Sequence, residues 1–247
     1  KNAHELERTT MSDNTASDTP VVYCQDVQRI YQQESVPVYA LRGANLTITA
    51  GEFVSLAGPS GSGKSTLLNV IGGLDGFDAG EVTVGGTSLG ALNASELAQM
   101  RLEKVGFVFQ AYNLIPVLSA RENVEFILQL QGVSSQERQE RANNALQSLG
   151  LGDLGDRRPG ELSGGQQQRV AIARAIVTEP VLLLADEPTA NLDSKTTSEL
   201  LEVLQQLNQQ QGMTIVTATH DPIVMSYTSR QVAMMDGEIH QDSAMAT

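Results

Sequence analysis

The chain is poor in several residue types. It has no tryptophan, one cysteine and 4% aromatic residues, and its 16 Lys and Arg are outnumbered by 29 Asp and Glu. A single cysteine cannot form an internal disulfide, which favours a buried, unreactive Cys24 in a reducing compartment. The formal charge of −13 repels nucleic acid and anionic lipid headgroups, so we expect no nucleic-acid partner. Since no apolar run approaches the roughly 20 residues that span a bilayer, attachment to a membrane requires a protein partner.

The composition along the chain predicts a polar N-terminal extension followed by one folded domain. Residues 1–20 are rich in Ser, Thr, Asn and Asp, and we expect them to be disordered. Residues 21–247 form the predicted single domain, because 40% hydrophobic residues suffice for a core of that size.

A glycine-rich loop stands between a predicted buried strand and a predicted helix in "EFVSLAGPSGSGKSTLLNVIGG". This is a P-loop in its required context, whose backbone N–H groups curl around phosphate while Lys64 reaches the β and γ oxygens. The Ser65 hydroxyl can ligate magnesium. A mere glycine turn is the weaker alternative. The predicted phosphate-binding residues are Gly58, Pro59, Ser60, Gly61, Ser62, Gly63, Lys64, Ser65 and Thr66.

Two adjacent acids follow a second apolar strand in "VLLLADEP". Ligands of open parallel sheets bind at the carboxyl ends of the strands, so we expect the acids beside the P-loop. Asp186 suits outer-sphere contact with magnesium, and Glu187 suits polarising the water that attacks the γ-phosphate. The alternative is a solvated turn.

Two more predicted strands, "VGFVFQ" and "MTIVTATH", end in polar groups at the same edge. Gln110 and His220 could therefore both reach the γ-phosphate, and Gln110 could also contact the magnesium ion. A surface amide and a helix-cap histidine are the respective alternatives.

The stretch "GELSGGQQQRVAIARA" predicts a helix capped at Ser163 and begun by two glycines. Glycine inside a helix costs about 1 kcal/mol relative to alanine, which indicates that something approaches this backbone closely. An open helix start suits an anion such as phosphate. The chain thus has two phosphate-binding features.

Shorter patterns predict local structure. Gly85-Gly86 and Asp236-Gly237 are two-residue hairpin signals, which add antiparallel strands to a mainly parallel sheet. Ser134 and Glu137 predict a capping box. An apolar stripe predicts a helix at Leu200, Leu201, Leu204 and Leu207.

The ordered set of P-loop, Gln110, "LSGGQQQR", "LLLADE", "NLD" and His220 resembles the ATP-binding subunit of ABC transporters over almost everything from Val21 to about Ile239. The resemblance implies an α/β P-loop NTPase fold with a mainly parallel sheet, an antiparallel β subdomain and a helical insertion subdomain. Its implied boundaries are a RecA-like core at 21–110 and 164–247 and a helical subdomain at about 111–163.

The same resemblance implies a homodimer that hydrolyses ATP with Mg²⁺. Two subunits face head to tail, and the signature of one closes over the γ-phosphate on the other's P-loop. Asp193 matches a loop that crosses this interface, and Tyr31 matches an aromatic that stacks on adenine, an ordinary strand tyrosine being the alternative. The implied signature contacts are Ser163, Gly164, Gly165 and Gln166.

Within the family, the motifs are most similar to the macrolide-exporter and lipoprotein-release group, MacB and LolD. That implies integral-membrane permease subunits that dock on the helical subdomain, a periplasmic partner reached through them, and a place at the cytoplasmic face of the bacterial inner membrane. Alternatives are the ATPase of an antimicrobial-peptide resistance system or an amino-acid importer, and, less favoured, a non-transport ABC protein or a nucleotide kinase.

Overall fold

The computed structural model describes residues 20–33 and 36–243. The strands are β1 (Val22–Gln33), β2 (Val36–Ile48), β3 (Phe53–Ala57), β4 (Ala79–Val84), β5 (Thr87–Ser88), β6 (Val105–Phe109), β7 (Leu182–Asp186), β8 (Ile215–Thr219), β9 (Arg230–Met235) and β10 (Glu238–Asp242). The α-helices are α1 (Lys64–Ile71), α2 (Ala94–Lys104), α3 (Ala120–Leu130), α4 (Ser135–Ser148), α5 (Gly164–Ile176), α6 (Ser194–Gln211) and α7 (Pro222–Ser226). The disorder predicted for residues 1–20 lies outside the described residues, Pro20 apart.

The central sheet has six strands in the order β10-β9-β3-β8-β7-β6. All neighbours pair in parallel except β10, which runs antiparallel to β9. The strands β3, β7 and β8 are buried along almost their whole length, as expected for a parallel sheet covered on both faces. Their carboxyl ends therefore lie at one edge, where the P-loop, Glu187 and His220 directly follow β3, β7 and β8. The predicted α/β fold class is confirmed.

A second, antiparallel sheet has four strands in the order β2-β1-β4-β5. Both predicted hairpins are present. Gly85 and Gly86 have φ of 52° and 76°, and Asp236 and Gly237 have φ of 51° and 83°. Positive φ at both central positions is what a type I′ turn requires, so the two dipeptides set the register of these strands.

The helices follow the sequence patterns with one exception. The apolar stripe on α6 is buried as predicted. At the start of α4, Ser134 accepts a hydrogen bond from the Glu137 N–H at 3.4 Å. The predicted capping box is nevertheless only half formed, because the Glu137 carboxylate lies 3.4 Å from Arg141 one turn on. The i,i+4 ion pair competes with the bond back to the cap.

Two clusters of buried apolar side chains lie on either side of the central sheet. One contains Cys24, which is 2% exposed, and burial raises the pKa of its thiol to about 12. The predicted buried cysteine is confirmed. In the part of the chain that the structure describes, no helix has both the length and the apolar character needed to cross a bilayer.

The segment between Gln110 and Ser163 contains α3 and α4. Their buried side chains, such as Leu128 and Leu146, belong to the same cluster as residues of α5, α6 and β7. Because the apolar contacts run continuously into the central sheet, the division of the chain at about 111 and 163 stays a prediction.

Candidate nucleotide-binding site

The P-loop lies between β3 and α1, and two of its glycines are required by close approach. A Cβ on Gly58 (φ 153°) would lie 2.2 Å from the Met234 carbonyl oxygen, and one on Gly63 (φ 100°) would lie 2.7 Å from the Ala40 carbonyl oxygen. Helix α1 begins immediately after Gly63. The loop is thus pressed between two backbones, and its N–H groups curl at a helix start that favours anions.

Lys64 directly follows this loop as the first residue of α1. Its side chain folds back so that Nζ donates to the carbonyl oxygens of Gly58 at 2.8 Å and Pro59 at 2.9 Å. The residue is 6% exposed. A nearly buried ammonium whose hydrogen-bonded oxygens are neutral attracts a ligand with negative charge, as the P-loop prediction requires.

The Ser65 hydroxyl donates to the Asp186 carboxylate at 2.9 Å. Residue 65 lies in the first turn of α1 and residue 186 ends β7, so the sheet edge unites two motifs that are far apart in sequence. Burial raises the pKa of Asp186 above its usual value, and the Glu187 carboxylate adds to that increase, while the Ser65 hydroxyl and Lys64 act in the opposite direction. The hard oxygen donors of this pair are those that Mg²⁺ prefers.

Glu187 and His220 form a pair at the ends of β7 and β8. Imidazole Nδ1 lies 2.6 Å from Glu187 Oε1, and the Thr219 hydroxyl donates to Oε2 at 3.4 Å. Glu187 has φ of 45°, an unfavourable region for a residue with a side chain, and its N–H is held by the Ala218 carbonyl oxygen at 2.9 Å. The arrangement fixes a carboxylate at the sheet edge and leaves the second imidazole nitrogen on an exposed ring.

A cavity of about 490 Å³ unites nine of the predicted residues. Gln110, Glu187 and His220 line it together with the P-loop. Three further lining residues, which sequence reasoning missed, come from β2: Val38, Tyr39 and Ala40. Their sequence offers no local signal, because only the packing of the antiparallel sheet brings them there. Among the described residues, the lining includes none of 163–166, Asp193 or Tyr31.

Tyr31 lies next to this cavity. It pairs with Val38 across β1 and β2, so the two side chains share one face of the sheet. The Tyr31 hydroxyl donates to Asp75, and the Arg29 guanidinium lies 4.6 Å from the ring centroid. Burial, followed by the bond to Asp75, raises the pKa of the phenol. The ring is therefore held at its edge and over one face, and its adenine-stacking role stays a prediction.

The signature residues begin α5 as predicted. Ser163 is the N-cap and forms a capping box with Gln166. A Cβ on Gly165 would lie 2.3 Å from Thr196 Cγ2, and one on Gly164 would lie 2.8 Å from the Tyr112 hydroxyl. Threonine is stiff at χ1, so Gly165 is required by packing within the chain. Packing within the chain therefore requires glycine here, independently of any ligand that binds at the start of α5.

Asp193 precedes α6 and caps it. Its carboxylate accepts from the backbone N–H groups of Lys195 and Thr196 at 3.0 Å and from the Thr196 hydroxyl at 2.8 Å. These bonds, above all the one from the Thr196 N–H, lower the pKa of the carboxyl. Because the Thr196 methyl contacts Gly165, the "NLD" segment and the signature form one packed unit.

Sequence reasoning also missed Gln168. Its side chain is fully buried and donates to the carbonyl oxygens of Phe109 and Pro188. The available signal was a lone polar residue on the face of α5 that also carries Gly165 and Ile172, at helical spacing.

A P-loop at the carboxyl edge of a parallel sheet, with an acidic strand end beside it, defines a nucleoside triphosphate-binding protein. The model of the ABC transporter family matches residues 41–190, more than half of the chain. The chain therefore belongs to the ABC transporter family, as its ATP-binding, ATPase domain.

Relatives at high identity cover most of the chain. An uncharacterized ABC transporter ATP-binding protein of Methanocaldococcus jannaschii, MJ0796, is 44% identical over 91% of this chain and 97% of its own. The macrolide export ATP-binding/permease protein MacB of Marinobacter nauticus is 46% identical over 92% of this chain. The chain spans about a third of the length of that relative, 35%.

A solved structure of MJ0796 superimposes with a TM-score of 0.83, covering 90% of this chain and 97% of that one. It is described as a dimeric post-hydrolysis state bound to ADP and phosphate.

Proposed function

We propose that this chain hydrolyses Mg²⁺-ATP between two copies of itself and thereby drives a membrane partner of the MacB and LolD type. The observation that carries the proposal is the division of the site. The P-loop, Gln110, Glu187 and His220 share one cavity, whereas the signature residues 163–166 are absent from its lining among the described residues. A second copy supplies that missing side.

In this proposal Mg²⁺ would be held by the Ser65 hydroxyl and the Gln110 amide, with the Asp186 carboxylate in outer-sphere contact. The hydrogen bond of 2.9 Å from the Ser65 hydroxyl to the Asp186 carboxylate supports it, because it brings two hard oxygen donors together where the ion would be held. When bound, the ion neutralises charge on the β- and γ-phosphates. Burial raises the pKa of Asp186, and a cation bound beside the carboxylate would counteract that increase by favouring the charged form.

Glu187 acts as the base that orients and deprotonates the attacking water, and His220 contacts the γ-phosphate. The bond from His220 Nδ1 to Glu187 fixes the direction of the carboxylate, and its Nε2 stays available to the phosphate. Lys64 and the loop N–H groups hold the β- and γ-phosphates. Stacking on Tyr31 orients the adenine.

The second copy closes the site through the Ser163 hydroxyl and the N–H groups of Gly164 and Gly165. Support comes from the open start of α5, where Ser163 is exposed, and from the dimeric structure described for MJ0796. Asp193 lies at the same interface because its segment packs on Gly165 through Thr196.

The membrane partner is a permease with a periplasmic part, and the chain works at the cytoplasmic face of the inner membrane. The MacB relatives support the permease partner, since their names join an ATP-binding portion and a permease. A permease with four transmembrane helices and a large periplasmic domain is expected to co-purify with the chain from its own host, and a many-helix permease pair would contradict the assignment to this group.

Ser163→Arg tests the shared site. The bulky cation blocks approach of a second copy, so ATP is bound by single chains with normal affinity while dimers and turnover are lost. Gel filtration with Mg²⁺-ATP, ligand titration and phosphate release measure the three quantities. Ser134→Arg is the matched control, because it replaces the N-cap of α4 with the same side chain and should leave dimers intact. Equal loss of binding and dimerisation would place the signature in the same subunit's site and refute the proposal.

A further inference from the structure

The carboxamide of Gln168 joins two catalytic segments from the middle of α5. Its Nε2 donates to the Phe109 carbonyl oxygen at 3.3 Å and to the Pro188 carbonyl oxygen at 2.6 Å. Phe109 directly precedes Gln110, and Pro188 directly follows Glu187. One buried amide therefore fixes the backbone beside both residues.

The orientation of the amide follows from its partners. A flipped carboxamide would place Oε1 against two carbonyl oxygens, which repel it. In the orientation found, Oε1 has no hydrogen-bond partner among the described residues, although the side chain is 0% exposed. An unsatisfied buried acceptor costs free energy, and an apolar residue of similar size would avoid that cost. We infer that the amide is present at this position because of the two hydrogen bonds that it donates.

The two segments need such a link because the ladder between β6 and β7 ends at this point. The β6–β7 ladder ends with the Phe109 and Asp186 pair, and the next residues, Gln110 and Glu187, are outside it. Glu187 also has the unfavourable φ of 45°. A strained backbone persists only where its surroundings hold it. Gln168 replaces the missing ladder bonds at Phe109 and Pro188, one residue from Gln110 and from Glu187.

We propose that Gln168 is a positioning residue for ATP hydrolysis, which sets Gln110 and Glu187 at a fixed separation and links both to the signature helix α5. The role rests on the proposed function. It adds a connection between the signature helix α5 and the segments that carry Gln110 and Glu187. When α5 moves, the two carbonyls move with it. Gln168 is fully buried and does not line the cavity, so its effect is on turnover rather than on ATP binding.

Gln168→Met tests the role, because methionine matches the length of glutamine and donates no hydrogen bond. In the full-length protein we expect kcat to fall about tenfold to a hundredfold while KM and the dissociation constant for Mg²⁺-ATP stay within about threefold. Gln167→Met is the matched control one residue away; its amide donates to Leu162 at 3.1 Å and reaches neither segment. That variant should retain wild-type turnover.

A double-mutant cycle with Gln110→Ala separates positioning from general damage. If Gln168 acts through Gln110, the double variant is no slower than the slower single variant. Multiplying effects would overturn the claimed action through Gln110, and wild-type kcat in Gln168→Met or a parallel loss of ATP binding would overturn the role as a whole. If Gln168→Met does not fold, Gln168→Asn, whose amide is one methylene too short, gives the same comparison. Absence of ATP turnover in the wild-type protein would instead refute the proposed function.

Discussion

His220 Nδ1 and Glu187 Oε1 are 2.6 Å apart, at the ends of neighbouring parallel strands. This bond gives the carboxylate one direction. Its side chain is 19% exposed and that of the histidine 71%, so the acid is shielded while the ring faces solvent. A base held in one orientation suits the activation of a single water molecule.

Glu187→Gln is expected to bind Mg²⁺-ATP with normal affinity and to hydrolyse it at least about a hundredfold more slowly, because the amide keeps the shape and loses the base. Trapped ATP should then accumulate dimers on gel filtration. Phosphate release measures the rate, with Glu202→Gln on the exposed face of α6 as the matched control. Undiminished turnover would show that another group activates the water.

Lys64→Ala is expected to abolish the thermal stabilisation that ATP provides. At a hundredfold excess over Kd, ligand binding adds about 2.7 kcal/mol to the free energy of unfolding. Differential scanning calorimetry with and without Mg²⁺-ATP measures the shift. Lys104→Ala is the control, since that ammonium binds Gly85 and Thr87 in the antiparallel sheet and its loss should leave the ATP shift unchanged. A full shift in Lys64→Ala would mean that phosphate binds elsewhere.

Gly165→Ala is expected to lower the free energy of unfolding by about 1–3 kcal/mol, the usual cost of overpacking, because its Cβ would meet Thr196 Cγ2. Thr196→Ser removes that methyl group and keeps the hydroxyl that binds Asp193, so the double variant should recover most of the loss. Chemical denaturation measures both.

The control for this pair is Gly160→Ala, where an added Cβ has no heavy atom within 4 Å. Its stability should match that of the wild type. If Gly165→Ala were equally silent, the close packing of the signature on α6 would be wrong.

Cys24 is expected to resist thiol reagents in the folded protein. Burial raises the pKa of its thiol from 9.0 to about 12, so little reactive thiolate exists near pH 8. A raised folded-state pKa contributes stability that is present below pH 9 and lost as pH rises towards 12. Absorbance assays with an aromatic disulfide should show slow modification, accelerated by denaturant. Fast reaction of the native protein would contradict the burial.

Much of the fold and site could be predicted because the signals are local. A strand, glycine loop and helix are contiguous at 53–71, and the hairpin dipeptides specify their own turns. The meeting of Ser65 with Asp186 is distant in sequence, yet it follows from the rule that parallel strands place their carboxyl ends at one edge.

Other features depend on packing between helices, and no short pattern specifies them. The contact of Thr196 with Gly165 requires the crossing of α5 and α6, and the bonds of Gln168 require the exact depth of α5 behind the sheet. The half-formed capping box at Ser134 has a different cause. There two local preferences of Glu137 compete, and its ion pair with Arg141 on the solvent side wins.

At Glu187 the positive φ lowers the stability of the fold, while the carboxylate of the same residue is needed for hydrolysis. Glycine would adopt that backbone conformation without cost, and asparagine at less cost, but neither supplies a carboxylate. Laboratory selection for heat tolerance alone, with ATP hydrolysis no longer required, should therefore replace this glutamate early. The most stable variants would then be those with the lowest ATPase activity.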